Sequence, residues 1–439
     1  MKIAIAGTGY VGLVTAVAMA EKGHDVICVD IDEAKINYLK ELKGSLIYEE
    51  GLYELMIKNQ SRLTYTTDYA WAYKDADVIF IGVGTPEKKD GSANLAYVYE
   101  TVRQIGENAE KNCVVVVKST VPIGTNDKIE RLINSYKKDG RDMIHVVSNP
   151  EFLAQGTAVH DTLHASRIVI GAENEYAANI MAEVYKNFDA PKLFTNRCSA
   201  EMIKYASNDF LALKISYINE IANLCESIGA NIDDVTKGMG FDDRIGNKFL
   251  NAGIGYGGSC FPKDTKALHW LSSFHDYELK TVNAAIEVNE SQKLKLLKKA
   301  KKYYQDYNGL KVAVLGLTFK PKTDDLREAP SLVNIAILLE DGAEIKAYDP
   351  VGEPNFKKIY PNEITYCSNI DDTLKDADIC FIFTEWQEVK DFNPSKFAEL
   401  MKTPIIMDGR NCFKLDMMKN LPIVYESIGR KTINNINKL

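Results

Sequence analysis

Gly7-Thr8-Gly9-Tyr10-Val11-Gly12 is the stretch that decides the fold of this chain. It follows a short apolar run, Lys2–Ala6, and opens a helical pattern over 13–22. In that setting the first glycine permits a tight turn and the second lets the backbone approach a pyrophosphate. The third lets helix pack closely on strand, and the helix N-terminus faces the phosphate charge. The run 25–30 reads as the next strand, and Asp30 ends it at the spacing expected of the group that binds a ribose 2′-hydroxyl. A carboxylate there repels a 2′-phosphate, so NAD is favoured over NADP, with Lys35 as a nearby cation that would tolerate phosphate. Tyr10 and Val11 lie inside the fingerprint, and Gly84, Thr85 and Pro86 close a later strand as a second cofactor loop.

Working outward, strand-like runs rich in Val and Ile recur at 78–83, 114–118 and 144–147, with helical stretches between them. Strands alternating with helices imply a parallel sheet covered on both faces. From 199 to 228 the pattern becomes one helix without proline or glycine, closed by Gly229, with apolar residues on more than one face. About 30 residues of helix span ~45 Å. That is longer than one small domain needs, so the segment reads as a spine between domains and part of a dimer interface. The Lys-rich segment 293–302 reads as a solvated helix face. Strand candidates then resume at 311–315, 344–348, 379–383 and 404–407, without a full glycine fingerprint. The expected architecture is α/β: an N-terminal Rossmann domain (1–195), a central helical region (196–295) and a C-terminal Rossmann-like domain (296–439).

The 439 residues suit two or three domains, and a hydrophobic fraction of 46% suits a large buried interior. The net charge of −8 argues against nucleic acid and anionic membranes as partners. The eight cysteines contain no CxxC pair, so neither a zinc site nor a thioredoxin-like motif is indicated, and they read as reduced thiols of the cytoplasm. The N-terminal run imitates a signal peptide, but its three glycines by Gly12 fit a nucleotide-binding unit better. No apolar run reaches the ~18 residues of a membrane span. His160 and His164 are four apart, yet no third ligand lies near in sequence, so no metal is expected.

The most informative chemistry lies in Asn251-Ala252-Gly253-Ile254-Gly255-Tyr256-Gly257-Gly258-Ser259-Cys260-Phe261-Pro262-Lys263-Asp264. Four glycines between 251 and 258 make a loop whose backbone can wrap closely round a ligand. Cys260 at its end is either a buried structural thiol or a reactive one. Removing one hydride from an alcohol needs only a base and NAD. Oxidising the aldehyde further needs a nucleophile, because hydride leaves only from a tetrahedral adduct. NAD together with one reactive cysteine therefore points to a four-electron oxidation. Lys204 and Asn208, four apart, share a helix face and suit an oxyanion, although a lysine on a helix is usually a solvated one.

These segments resemble the UDP-glucose 6-dehydrogenase family, within the wider group of nucleotide-sugar dehydrogenases. The resemblance rests on GTGYVG, KSTVPIGT (118–125), SNPEFLAQG (148–156), the 201–208 helix, RIGNKFLNAGIGYGGSCFPKD (244–264), GLTFKPKTDDLREAPS (316–331) and DGRN (408–411). It covers nearly the whole chain. By resemblance Cys260 forms a thiohemiacetal and then a thioester, while Lys204 and Asn208 stabilise the oxyanion. Asp264 and Thr120 position the water, and Glu151 is the acid/base candidate near the sugar. Phe152, Leu153, Phe249, Asn251, Tyr256, Gly257, Phe319, Lys320 and Arg410 would hold the nucleotide sugar, with Arg244 contributed across a homodimer. Arg327 and Gln155 would join the NAD site; Gln155 stands where many members carry a second glutamate, which leaves Glu151 as the acid/base carboxylate that the resemblance implies. The substrate implied is UDP-glucose. UDP-N-acetylhexosamine or GDP-mannose, a two-electron hydroxyacid dehydrogenase with a structural Cys260, and a non-catalytic NAD-binding module are the alternatives.

Overall fold

Four consecutive valines, Val114–Val117, are buried on both sides, and Val78–Ile81 repeats the pattern. Continuous burial rather than alternation is what a parallel sheet covered on both faces requires. The computed structural model describes residues 1–137 and 142–436. Those residues form two compact units that divide between Ser207 and Asn208.

The first unit holds strands β1 (Lys2–Ala6), β2 (Asp25–Val29), β3 (Leu63–Thr66), β4 (Val78–Ile81), β5 (Val114–Val117), β6 (His145–Ser148), β7 (Ile168–Gly171) and β8 (Lys192–Thr195). Their order is β3-β2-β1-β4-β5-β6-β7-β8, the doubly wound arrangement extended by two strands. All pairings are parallel except β6 with β7. Alternate residues feed opposite layers. Ile3, Ile5, Val78 and Phe80 join one core, while Ala4, Ala6, Ile79 and Ile81 join the other.

The second unit repeats the plan. Strands β9 (Lys311–Leu315), β10 (Glu344–Tyr348), β11 (Ile364–Tyr366), β12 (Ile379–Ile382), β13 (Ile405–Asp408), β14 (Val424–Glu426) and β15 (Ile433–Asn434) are ordered β11-β10-β9-β12-β13-β14-β15. The likeness extends to single atoms. The Gly7 amide donates to Val29 O at 2.7 Å, and the Gly316 amide donates to Tyr348 O at 2.8 Å. Asp30 accepts the Thr8 amide after the first strand, and Asp349 accepts the Leu317 and Thr318 amides after the ninth. Gly316 has φ +88°, and a Cβ there would lie 2.4 Å from Thr384. The expected Rossmann-like second half is thus present, with one glycine retained where the turn demands it.

The first helix begins at Tyr10, earlier than the expected 13, because the glycine turn runs straight into it. The long helix spans Arg197–Ile228. Asn196 caps it by accepting the Ser199 amide at 2.7 Å. At its far end the Gly229 amide donates to Cys225 O from a left-handed φ of +80°. One reading needs correction. The Lys-rich segment is a solvated face only in part: Lys298, Lys301 and Lys302 are exposed, but Lys293 and Lys299 are buried. Lys293 is paired with Glu290 and Glu328, and Lys299 with Glu226 and Glu426. The helix also breaks at Leu294, so the lysines do not share a single face.

Candidate functional site

In the first unit the glycine turn is built for close approach. A Cβ on Gly12 would sit 1.9 Å from Gly7 O, and one on Gly7 would sit 3.0 Å from Gly82 O. A Cβ on Gly9 would meet nothing within 4 Å, so the second glycine faces open space and leaves its backbone open to close approach. The Tyr10–Glu21 helix has no side-chain cap and no acid in its first turn, which leaves its amides available to an anion. The Thr8 amide and hydroxyl donate to Asp30 Oδ2 at 2.9 and 2.7 Å. Burial pushes the Asp30 carboxyl up, but these bonds, with the Asp32 amide and the Lys35 charge, outweigh it and hold it below the usual range. Lys35 reaches Asp32 at 3.8 Å, so the carboxylate it pairs with is Asp32 and not Asp30. These residues fit an NAD adenosine and pyrophosphate.

Thr85, beyond the C-terminal end of β4, donates to Thr120 O at 3.0 Å, so Gly84, Thr85, Pro86 and Thr120 form one rim. Next to β6, Glu151 is buried and bridges two elements. Its Oε1 accepts the Lys204 ammonium at 2.8 Å and its Oε2 accepts the Leu153 amide at 2.8 Å. Lys204 is itself buried and lies 5.5 Å from the Phe152 ring centroid, with Arg167 stacked at 3.8 Å on that ring. The lysine is therefore a buried charge with a fixed partner, the less common of the two readings left open above. Lys118 donates to Asn149 Oδ1 at 3.0 Å. Burial lowers its amine to about 8, Glu151 opposing and Lys204 adding to the effect.

In the second unit Cys260 is partly exposed and stands immediately before the Phe261–Phe274 helix, with Ser259 Oγ 3.8 Å from its sulfur. Asp264, one turn in, is buried. It accepts Asn208 Nδ2 at 2.7 Å on one oxygen and Lys263 Nζ at 2.6 Å on the other. Tyr256 packs edge-on against Phe261, as does Phe249, which holds a left-handed φ of +63°. Gly257 lies where a Cβ would be 2.4 Å from Glu328 O. The Gly258 amide donates to Arg327 O at 2.7 Å. Arg327 itself is paired with Asp325. Arg410 reaches Gly255 O at 3.0 Å, Phe319 O at 3.2 Å and Phe383 O at 2.9 Å, so it fastens the glycine loop to its neighbours. Lys320 lies over the Phe319 ring, and Asn251 is exposed at the head of the loop. Arg244 stands apart, pointing to solvent and paired with Asp242 at 2.6 Å.

Several positioning residues escaped sequence reasoning. Asn289 accepts the Tyr256 amide at 2.8 Å and donates to Tyr256 O at 3.1 Å. Gln292 donates to Gly253 O at 2.7 Å, and Asn219 accepts the Gly253 amide at 2.9 Å. These buried amides pin the backbone of a loop that has few side chains of its own. Glu49 accepts the Gly156 and Ala158 amides and the Tyr10 hydroxyl, tying the fingerprint to the loop after β6. Polar residues on otherwise apolar helix faces were the available signal for the amides. Glu49 gave none. Among the described residues no group of His, Cys, Asp and Glu is arranged to hold a metal, and no helix is long and apolar enough to cross a membrane.

Comparison with known proteins gives matches along nearly the whole chain. Residues 1–189 match the NAD binding domain of the UDP-glucose/GDP-mannose dehydrogenase family, 198–291 its central domain and 313–415 its UDP binding domain. The chain is 47% identical over 436 residues to UDP-glucose 6-dehydrogenase YwqF of Bacillus subtilis (strain 168), covering 99% of this chain and 98% of that one. Among solved structures, a UDP-glucose dehydrogenase from Pyrobaculum islandicum superposes with a TM-score of 0.90 at 36% identity, over 94% of this chain and 95% of that one. A UDP-D-ManNAc dehydrogenase from Pyrococcus horikoshii follows, with a TM-score of 0.86 at 28% identity over 98% and 99% of the two chains.

Proposed function

The chain belongs to the UDP-glucose/GDP-mannose dehydrogenase family and is an NAD-dependent nucleotide-sugar dehydrogenase, and from that premise we propose that it oxidises C6 of UDP-glucose to the carboxylate. The observation that carries the substrate is the 47% identity to a UDP-glucose 6-dehydrogenase, well above the 28% to an enzyme of an N-acetylated sugar.

NAD supplies the hydride acceptor, used twice. The residues do the rest. Glu151 or a water it holds takes the alcohol proton as the first hydride leaves, giving an aldehyde. Cys260 then adds to the aldehyde carbon through sulfur, and the oxygen becomes an alkoxide held by Lys204 and Asn208, one turn apart on the long helix. The N-terminus of the Phe261–Phe274 helix favours negative charge on the attacking sulfur. Loss of the second hydride leaves a thioester. Water oriented by Asp264 and Thr120 attacks its carbonyl, the C–S bond breaks, and sulfur regains its proton. The sum is one alcohol, two NAD and one water converted to one carboxylate, two NADH and three protons.

The nucleotide rests on the loop 251–257 with Phe319, Lys320 and Arg410, and Arg327 and Gln155 attend the cofactor. The protein acts as a homodimer in the cytoplasm. Phe210, Tyr217 and Leu224 recur every seven residues on the long helix and are 61%, 48% and 54% exposed, a stripe suited to a second copy. Arg244, extended into solvent, is the side chain offered across that contact. The eight cysteines are unpaired, in keeping with a reducing compartment. Initial rates with NAD and each of UDP-glucose, UDP-N-acetylmannosamine and GDP-mannose test the substrate. The expected result is a kcat/KM for UDP-glucose at least ~100-fold above the others. Preference for an N-acetylated sugar would overturn it.

A further inference from the structure

Beside Asn208 stands a carboxylate that the reaction above does not use. Asp209 is 5% exposed, and neither of its oxygens has a hydrogen-bond partner among the described residues. The groups that face it come from two other elements. Asp264 approaches from the Phe261–Phe274 helix, and Tyr256, from the glycine loop, feels both Asp209 and Glu290 of the Lys280–Lys293 helix. Lys263 donates to Asp264 at 2.6 Å, so that cation is committed to the neighbouring carboxylate.

Two buried carboxylates side by side divide their roles by their donors. Asp264 accepts a charge-assisted bond from Lys263 and an amide bond from Asn208, one on each oxygen, and both favour its anion. Asp209 receives no donor on either oxygen, so its anion would be unsolvated and would lie beside a like charge. The proton therefore belongs to Asp209. In agreement, burial and then the Asp264 charge push its carboxyl up to about 8.

We propose that Asp209 is a positioning residue for the oxidation: a buried acid that stays protonated during turnover, so that Asn208 can hold the alkoxide and Asp264 the water without a second negative charge beneath them. This rests on the reaction proposed above. When Asp209 loses its proton, its charge opposes the alkoxide and disturbs the Asn208–Asp264 bond, and turnover falls.

The test is kcat against pH, at saturating UDP-glucose and NAD, for wild type, Asp209→Asn and Asp209→Ala. Wild-type kcat should fall about tenfold for each pH unit above about 8, while both variants lose that limb. Asp209→Asn should keep wild-type kcat at pH 7 within about threefold, because the amide resembles the neutral acid. The same alkaline fall in both variants, or a lower kcat with an unchanged pH profile, would overturn the proposal and leave Asp209 a packing residue. Should Asp209→Asn not fold, the alanine variant alone decides on the same limb. NADH formed per sugar by wild type at pH 7 checks the reaction separately, so its failure is distinguishable from that of Asp209. A readout without turnover is the melting temperature. The folded acid keeps its proton between about pH 4 and 8 while the unfolded one loses it, so wild-type stability drains away across that window. Asp209→Asn should gain on wild type steadily through it and then hold the difference; a constant difference would count against the proposal.

Discussion

Gly12 carries a hydrogen where a methyl group would stand 1.9 Å from Gly7 O, and the obstacle is backbone, which cannot swing aside. Gly12→Ala should cost about 1–3 kcal/mol of stability and weaken NAD binding more than tenfold. Calorimetric titration with NAD checks this, and unchanged affinity would refute the role given to the turn. At this scale the glycine turn was readable because its third glycine leaves room for the helix to pack on Gly7, and Asp30 stands after the second strand as expected, where it accepts two bonds from Thr8. Glu49 was not readable. It lies in a stretch without periodic pattern, and its partners Gly156 and Ala158 are more than a hundred residues away. Asp209 was unreadable for a related reason, since a carboxylate in a helical run looks solvated until its neighbours are known.

Among the elements, the glycine loop 251–258 and its amide supports form a pair that only folding unites. Gly255 holds a left-handed φ of +89°, and its Cβ would lie 2.6 Å from Asn289 Oδ1. The loop thus presses directly on the side chain that binds the Tyr256 amide and carbonyl. Asn289→Leu removes both bonds and leaves buried backbone groups unsatisfied, at about 1–3 kcal/mol each. The expected outcome is a KM for UDP-glucose raised at least ~10-fold with NAD affinity unchanged. Equal loss of both affinities would mean that the asparagine supports the fold and not the loop. The loop's own glycines were legible as a ligand wrap, but Asn219, Asn289 and Gln292 sit on helices remote in sequence. Strands followed the same logic. The long valine and isoleucine runs were visible, whereas β8, exposed at two of its four residues, and the short β11 had no apolar run to betray them. The Lys293 and Lys299 pairs show the limit of charge patterning, which counts lysines but not the glutamates that fold back onto them.

For the whole molecule, the repeat of the Gly316–Asp349 arrangement after Gly7–Asp30 makes each unit a Rossmann-type sheet with its own turn. The second was expected as a fold, yet its likeness in single bonds lies in a glycine and an aspartate spaced ten residues more widely than the first pair. Association belongs to this scale too. If the proposed dimer forms through this stripe, replacing Phe210 and Leu224 together by glutamate should leave a monomer, measured by sedimentation velocity, with a lower kcat because Arg244 no longer reaches a neighbouring site. A wild-type monomer, or a double variant still dimeric, would remove the stripe from the interface. The central claim, a four-electron oxidation carried on Cys260, is tested most directly by counting NADH formed per limiting UDP-glucose, with wild type and Cys260→Ser side by side. The prediction is two NADH per sugar for wild type and no completed turnover for the variant; one NADH per sugar, unchanged by the substitution, would contradict it.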